Sequence, residues 1–183
     1  MRELWKLAWK LLLIAAVAGL ALGSTNALTQ APIQGQIETS ENKARSTVLP
    51  AATNFKLLHE GECGCDDAYA GLADGETVGY TAQVTARGYG GEIEVIVGMD
   101  MQGVVTGVNV GGASFAETAG LGVKTKDAAF RNQFVGKESP FAISKTAGAD
   151  DVPVDAVSGA TISSSAVVSA VNTACEYLLR LIG

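Results

Sequence analysis

The sequence predicts an α+β domain in which a meander of antiparallel strands packs against helices, with one apolar helix before it. Three segments between residues 78 and 110 alternate apolar and polar side chains, and glycine-rich turns separate them. Such period-two patterning is typical of antiparallel strands with one buried face. The C-terminal segment instead repeats its apolar residues at offsets of three and four, which indicates a helix.

Composition supports one folded domain with appendages. The chain has 183 residues, of which 48% are hydrophobic, so a core of useful size can form. Its 22 glycines and 4 prolines favour turns and close backbone contacts over disorder. The formal net charge of −6 argues against nucleic acid as a partner.

The first 23 residues resemble a membrane-directed segment, because positive charges precede an uncharged run from Leu11 to Leu22. Small residues from Gly23 onward are consistent with a cleavable signal peptide. Alternatively, the segment is a retained transmembrane helix with Trp5 and Trp9 at the membrane interface, although the run is short for a span of about 20 residues. Both interpretations place the N-terminus in the cytoplasm and the following residues on the extracytoplasmic side.

We therefore predict three regions. Residues 1–23 form a single-pass membrane anchor, and residues 24–54 form a polar linker that carries a short helix near residues 42–48. Residues 55–183 form an extracytoplasmic domain, which begins with a small apolar patch at Phe55–Leu58.

Within this domain the predicted strands are Val78–Val84, Ile93–Met99 and Val104–Val110, and a further strand is expected in Pro140–Lys145. A short amphipathic helix is predicted from Lys126 to Phe134, and Gly136 suits its C-terminal cap. A turn-rich connection over residues 147–153 leads to the last helix, whose apolar periodicity covers Ala166–Ile182.

The cysteines point to no metal site. Cys63 and Cys65 form either an exposed loop with two thiols or one strained disulfide, because their spacing disfavours disulfide geometry. A metal there would need further ligands, and His59 is the only histidine. Cys175 lies on the apolar face of the last helix and is predicted to be a buried, inert thiol.

Two loops rich in glycine and hydroxyl groups remain as candidates for chemistry, since the chain has no Gly-x-Ser-x-Gly elbow, Walker loop or dinucleotide fingerprint. They are Glu117–Gly122 and Ser158–Ser165. The second loop precedes the last helix, where unpaired N–H groups and the helix dipole suit an anion. An ordinary helix cap by Ser163 or Ser164 is the alternative interpretation.

The run Ser158-Gly-Ala-Thr-Ile-Ser163 resembles the flavinylation motif of the FMN-binding domain family. The segment Glu117-Thr-Ala-Gly-Leu-Gly122 resembles a second motif of that family. The residues that follow it in the same pattern are Lys124, Phe130, Gln133, Phe134, Gly136 and Lys137. Two motifs in this order, with a helix between them, are far more specific than either alone.

This resemblance implies FMN attached by a phosphoester to Thr161, placed there by a flavin transferase that uses FAD. It also implies that the Glu117–Gly122 loop lies along the flavin ring and that the Ser158–Ser165 loop holds the phosphate. The implied cofactor-binding residues are Thr161, Ser158, Gly159, Ala160, Ser163, Ser164, Glu117, Thr118, Gly120, Leu121, Gly122 and Lys124. No catalytic acid or base is implied, since the flavin carries the redox chemistry.

The sequence departs from the family pattern at two positions. Ala119 stands where the family usually has proline, which loosens the loop slightly. Phe115 stands where a histidine is common, which removes a polar contact to the flavin. Neither departure affects Thr161.

Together with the N-terminal anchor, the motifs are similar to those of the G subunits of Rnf electron-transport complexes. That resemblance implies an electron relay within a membrane-bound, ion-translocating ferredoxin:NAD oxidoreductase, with the other membrane subunits as partners and no independent catalytic activity. The alternatives are the C subunit of the sodium-translocating NADH:quinone reductase, another extracytoplasmic FMN carrier, and a secreted non-redox binding module.

Overall fold

The computed structural model describes residues 2–61 and 64–183. The contacts divide the chain into two units, residues up to Ser40 and Glu41–Gly183. Cys63 lies outside the described residues, and with it the prediction of two thiols or one disulfide in the Cys63–Cys65 loop. Cys65 is buried.

The first element, α1, is a continuous helix over Arg2–Val48. Within it, Ala8–Thr29 is long and apolar enough to cross a membrane, and none of its most apolar stretch is buried in the protein. The predicted N-terminal apolar helix is therefore present. The segment predicted as a linker is helical as far as Val48, so the short helix expected near residues 42–48 is the end of α1.

A five-stranded antiparallel meander forms the centre of the second unit, with the strands side by side in chain order. The strands are β1 (Asn54–Glu60), β2 (Asp67–Ala73), β3 (Glu76–Arg87), β4 (Glu92–Asp100) and β5 (Val105–Gly111). The last three correspond to the predicted strands, and the α+β meander is confirmed. The alternation of apolar and polar residues did not reveal β1 and β2, because these two strands contain few β-branched residues.

The remaining elements lead from the sheet to the last helix. They are a 3-10 turn (Gly122–Lys126), α2 (Ala128–Arg131), the parallel pair β6 (Phe141–Ile143) and β7 (Val152–Val154), and α3 (Thr161–Ile182). The predicted helix over Lys126–Phe134 is reduced to the single turn of α2. Strand β7 begins within the connection predicted to be turn-rich, and α3 begins earlier than its apolar periodicity indicated.

One face of the sheet packs against α3. Inward side chains of β4, such as Val95 and Val97, share a fully buried core with Val171 and Leu178 of α3. Cys175 belongs to this core, and burial raises the pKa of its thiol to about 12. The prediction of a buried cysteine here is confirmed, and its thiolate is scarce at neutral pH.

The opposite face is covered by the end of α1. Val48 lies directly over Gly98 and Gly107, where any Cβ would overlap the Val48 backbone. The Thr106 hydroxyl donates a hydrogen bond to the Val48 carbonyl at 2.5 Å. The packing on this face therefore consists of contact between the backbone of Val48 and the strand glycines. The alternation of apolar and polar residues in the sequence predicted that only one face of the sheet is buried.

Arg45, one turn earlier in α1, is buried on the same face with 3% of its surface exposed. Its guanidinium lies 3.0 Å from Glu41 Oε2 and 3.7 Å from Asp67 Oδ2. It also stacks over the Tyr69 ring, 3.9 Å from its centroid. A buried charge needs such compensation, and these contacts join the end of α1 to β2.

Candidate functional site

The first turn of α3 borders a cavity of about 550 Å³, which we call the α3 cavity. Its walls come from the β3–β4 turn, the loop before the 3-10 turn, and the loop that enters α3. The lining residues are Tyr89, Glu117, Thr118, Leu121, Gly122, Gly159, Ala160, Thr161, Ile162 and Ser163. The fold thus brings together two loops that lie about 40 residues apart in the chain and were predicted to share a site.

The remaining predicted site residues lie nearby but do not line this cavity. Ser158 lines a second cavity of about 340 Å³, together with Lys145, Asp155 and Thr161. Lys124 is exposed and borders a third, smaller depression. Gly120 forms a turn with φ of 78°, and Ser164 is fully buried beneath the loop.

Thr161 is the first residue of α3, and its side chain is exposed. It lines both the α3 cavity and the second cavity. The first N–H groups of a helix have no carbonyl partner within it. An exposed hydroxyl-bearing side chain, the N–H groups of a helix start and the lining of two cavities therefore coincide at this residue.

Neither serine caps α3, which corrects the alternative interpretation of the loop. The N-cap residue is Ala160, and it makes no side-chain cap. The Ser164 hydroxyl instead donates to the Ala160 carbonyl at 2.9 Å and accepts the Val157 N–H at 3.0 Å. Ser164 is buried, and its two hydrogen bonds hold the loop in place.

Glu117 connects the three walls of the α3 cavity. Its side chain is 8% exposed, and Oε2 accepts the Ser163 hydroxyl at 2.7 Å. Oε1 accepts the Gly90 N–H at 3.1 Å. A Cβ at Gly122 would overlap this carboxylate, so a glycine is required where the loop closes on it. Glu117 therefore fixes the β3–β4 turn against the start of α3.

Three large, mainly apolar side chains of the α3 cavity lining are exposed, and we call this group the apolar mouth. It includes a residue that the sequence did not indicate. Tyr89, at the tip of the β3–β4 turn, is 72% exposed, and Ile162 is 58% exposed. Leu121 completes the mouth. An aromatic residue between glycines in a strand turn was visible in the sequence, but only the fold shows that this turn meets α3.

The departures from the family pattern lie outside this lining. Phe115 packs under Lys126, whose ammonium lies 3.6 Å from the ring centroid. It is absent from the residues that line the α3 cavity, as is Ala119. The motif residues that line the cavity therefore match the family pattern.

The α3 cavity fits a planar, phosphate-bearing cofactor such as FMN. Its volume lies in the usual range for small-molecule sites, and its apolar mouth suits an aromatic ring. The helix start supplies N–H donors suited to a phosphate. Gly122 and Gly159 remove side-chain bulk from the lining.

Comparison with known proteins agrees with this geometry. Residues 88–176 match the model of the FMN-binding domain family. The G subunit of the Na(+)-translocating ferredoxin:NAD(+) oxidoreductase complex of Acetobacterium woodii is 33% identical, over 97% of this chain and 94% of that protein. The G subunit of an ion-translocating oxidoreductase complex of Methanosarcina acetivorans is 32% identical, over 97% and 95%.

Among solved structures, the C subunit of the Na(+)-translocating NADH-quinone reductase of Parabacteroides distasonis has the same fold. The TM-score is 0.61 at 18% identity, covering 84% of this chain and 96% of that one. The identity to G subunits extends over nearly the whole length of both chains, and the family model spans both motifs. The chain therefore belongs to the family of G subunits of ion-translocating oxidoreductase complexes of the Rnf type, and it contains their FMN-binding domain.

Proposed function

We propose that this protein is an electron-relay flavoprotein subunit of a membrane-bound, ion-translocating ferredoxin:NAD oxidoreductase complex, with FMN held in the α3 cavity. The similarity to G subunits and the match to the FMN-binding domain support this role. The observation that carries the proposal is the position of the exposed Thr161 in the lining of two cavities, within a run that resembles the flavinylation motif.

The cofactor is attached covalently in this proposal. Thr161 supplies the oxygen of a phosphoester, and its exposure makes it accessible to a flavin transferase that uses FAD. The unpaired N–H groups of the first turn of α3 can offset the phosphate charge. A covalent bond would prevent loss of the cofactor from a domain outside the cytoplasm.

Bound FMN supplies the electron transfer, and the protein residues hold and surround it. Glu117 keeps the β3–β4 turn and the start of α3 together, so that Tyr89, Leu121 and Ile162 can cover the ring. No residue is required to move a proton.

The membrane arrangement is also proposed. Ala8–Thr29 would serve as the anchor, with the positive N-terminal end in the cytoplasm and the FMN domain on the extracytoplasmic side. The partners are the other membrane subunits of the complex and, during maturation, the flavin transferase.

The test is the intact mass of the full-length protein after export and co-expression with a flavin transferase. We expect the mass of one esterified FMN, lost in Thr161→Ala and kept in Thr118→Ala, which removes the other threonine of the same cavity. The same mass shows whether residues 1–22 are retained. An unmodified wild type would refute covalent flavin, and a modified Thr161→Ala would exclude Thr161 as the attachment site.

A further inference from the structure

A side-chain amide holds the residue at which the Thr161 loop begins. Gln133, just after α2, accepts the Asp155 N–H through Oε1 at 2.7 Å and donates to the Asp155 carbonyl through Nε2 at 3.2 Å. Asp155 is the first residue after β7, and six residues later the chain reaches Thr161. Both backbone groups of Asp155 are therefore bound by one side chain from a different element.

Other contacts support this loop at each end. The Ser144 hydroxyl donates to Asp155 Oδ1 at 2.7 Å, which orients the carboxylate toward the second cavity that it lines with Thr161. At the far end, Ser164 binds the Val157 N–H and the Ala160 carbonyl. Between the two anchors, Ser158 and Gly159 are exposed. The path of the backbone to Thr161 depends on both anchors.

A second side-chain amide makes the same kind of contact away from the loop. Asn172 of α3 accepts the Phe141 N–H at 2.9 Å and donates to the Phe141 carbonyl at 2.8 Å. Phe141 lies on β6 opposite Val152 of β7. Asn172 thus holds strand β6, and Gln133 holds the residue that follows β7. Only the Gln133 contact lies at the start of the loop that carries Thr161.

We propose that Gln133 is a positioning residue for flavin attachment, because it holds the Asp155–Ala160 segment in the conformation that presents the Thr161 hydroxyl to the transferase. This inference rests on the proposed function. Gln133 does not itself contact the reacting atoms. Without its two hydrogen bonds the loop would sample further conformations. A smaller fraction of the protein would then be in the conformation that the transferase binds.

The kinetic consequence is specific. An apparent affinity falls in proportion to the fraction of molecules in the binding-competent state. Gln133→Ala should therefore raise the apparent KM of the transferase for this protein several-fold. The rate at saturating acceptor should change little, because binding selects the competent loop. General destabilisation would also lower the competent fraction and raise the KM, so a control variant with an equivalent loss of hydrogen bonds is needed to identify a positioning role.

The experiment measures FMN transfer from FAD to the full-length, unflavinylated protein, with purified transferase and increasing acceptor concentration. Asn172→Ala is the matched control, since it removes an equivalent pair of hydrogen bonds. We expect both variants to lower the Tm, but only Gln133→Ala to raise the KM. Gln133→Glu keeps the acceptor for the Asp155 N–H and loses the donor, so its KM should be intermediate.

Hydrogen exchange verifies that each contact has been lost. The Asp155 amide should exchange faster in Gln133→Ala, and the Phe141 amide should exchange faster in Asn172→Ala. A wild-type KM for Gln133→Ala, despite faster Asp155 exchange, would overturn the positioning role. So would an equal rise in KM for both alanine variants, because it would indicate general destabilisation.

If Gln133→Ala fails to fold, Gln133→Glu with the same exchange measurement decides the question by the same criterion. Failure of the wild type to accept flavin at Thr161 would overturn the proposed function together with this inference. A flavinylated wild type with an unaffected Gln133 variant would overturn the inference alone.

Discussion

The two faces of the five-stranded sheet are buried by opposite means. Toward α3, branched side chains such as Val95 and Val97 interlock with Val171 and Leu178. Toward α1, glycines let the backbone of Val48 lie directly on the strands. The α3 face is stabilised by side-chain volume, whereas the α1 face requires the absence of side chains. We therefore expect the removal of methyl groups to destabilise the α3 face and the addition of a methyl group to destabilise the α1 face.

The largest effect is expected from removing volume at the α3 face. Leu178→Ala deletes a fully buried side chain from the core and should lower the free energy of unfolding by about 2–5 kcal/mol. Leu179→Ala is the control, because Leu179 is 44% exposed on the same turn. Chemical denaturation of both variants measures the difference, and similar losses for the two would contradict the core that we describe.

Adding one methyl group to the α1 face should have the next largest effect. Gly98→Ala places a Cβ against the Val48 carbonyl, so α1 must shift, at a cost of about 1–3 kcal/mol. Gly111→Ala adds the same group at the end of β5, where the nearest atom is the flexible Lys126 ammonium at 3.9 Å. If the two variants unfold at the same denaturant concentration, backbone contact does not build this face.

The smallest effect concerns pH and belongs to the α1 face alone. Glu94 follows Ile93 on β4 and points to the opposite side, where burial raises the pKa of its carboxyl above 4.5, and the charge of Glu41 raises it further. The Ala113 N–H opposes part of this shift. A raised pKa means that the folded state binds the proton more tightly than the unfolded state does.

Stability should therefore fall as the pH rises from about 4.5 through the higher pKa of the folded state. Glu94→Gln keeps an acceptor for the Ala113 N–H and removes the titration, so this part of the decline should disappear. Urea unfolding at a series of pH values checks the prediction, and an unchanged pH dependence in the variant would refute it.

The two faces also explain what sequence reasoning reached and what it missed in the fold. Alternating apolar residues predicted β3, β4 and β5, because the α3 face requires one large side chain at every second position. Strand β2, Asp67–Ala73, contains mainly small residues and gave no such signal. Glycines such as Gly98 and Gly107 look like interruptions of a strand in the sequence, yet they are the contact surface for α1.

The candidate site likewise has one part that the sequence predicted and another that only the structure revealed. The two motifs predicted that the Glu117–Gly122 loop and the Thr161 loop would share a site, and most of their residues line one cavity. Ser163 and Ser164 were predicted to contact a phosphate or to cap the helix. In the structure their hydroxyls bond Glu117 and Ala160, a choice that depends on which buried acceptors the fold places near them.

The sequence by itself determined the class of the fold, the apolar N-terminal helix and the segment around Thr161, because these depend on local periodicity and short motifs. Only the tertiary structure decided that Tyr89 borders the α3 cavity and that Gln133 holds Asp155. The physical reason is that a hydrogen bond or a cavity wall depends on distances between atoms of remote segments. Local pattern sets which elements form, and the packing of those elements sets which side chains meet.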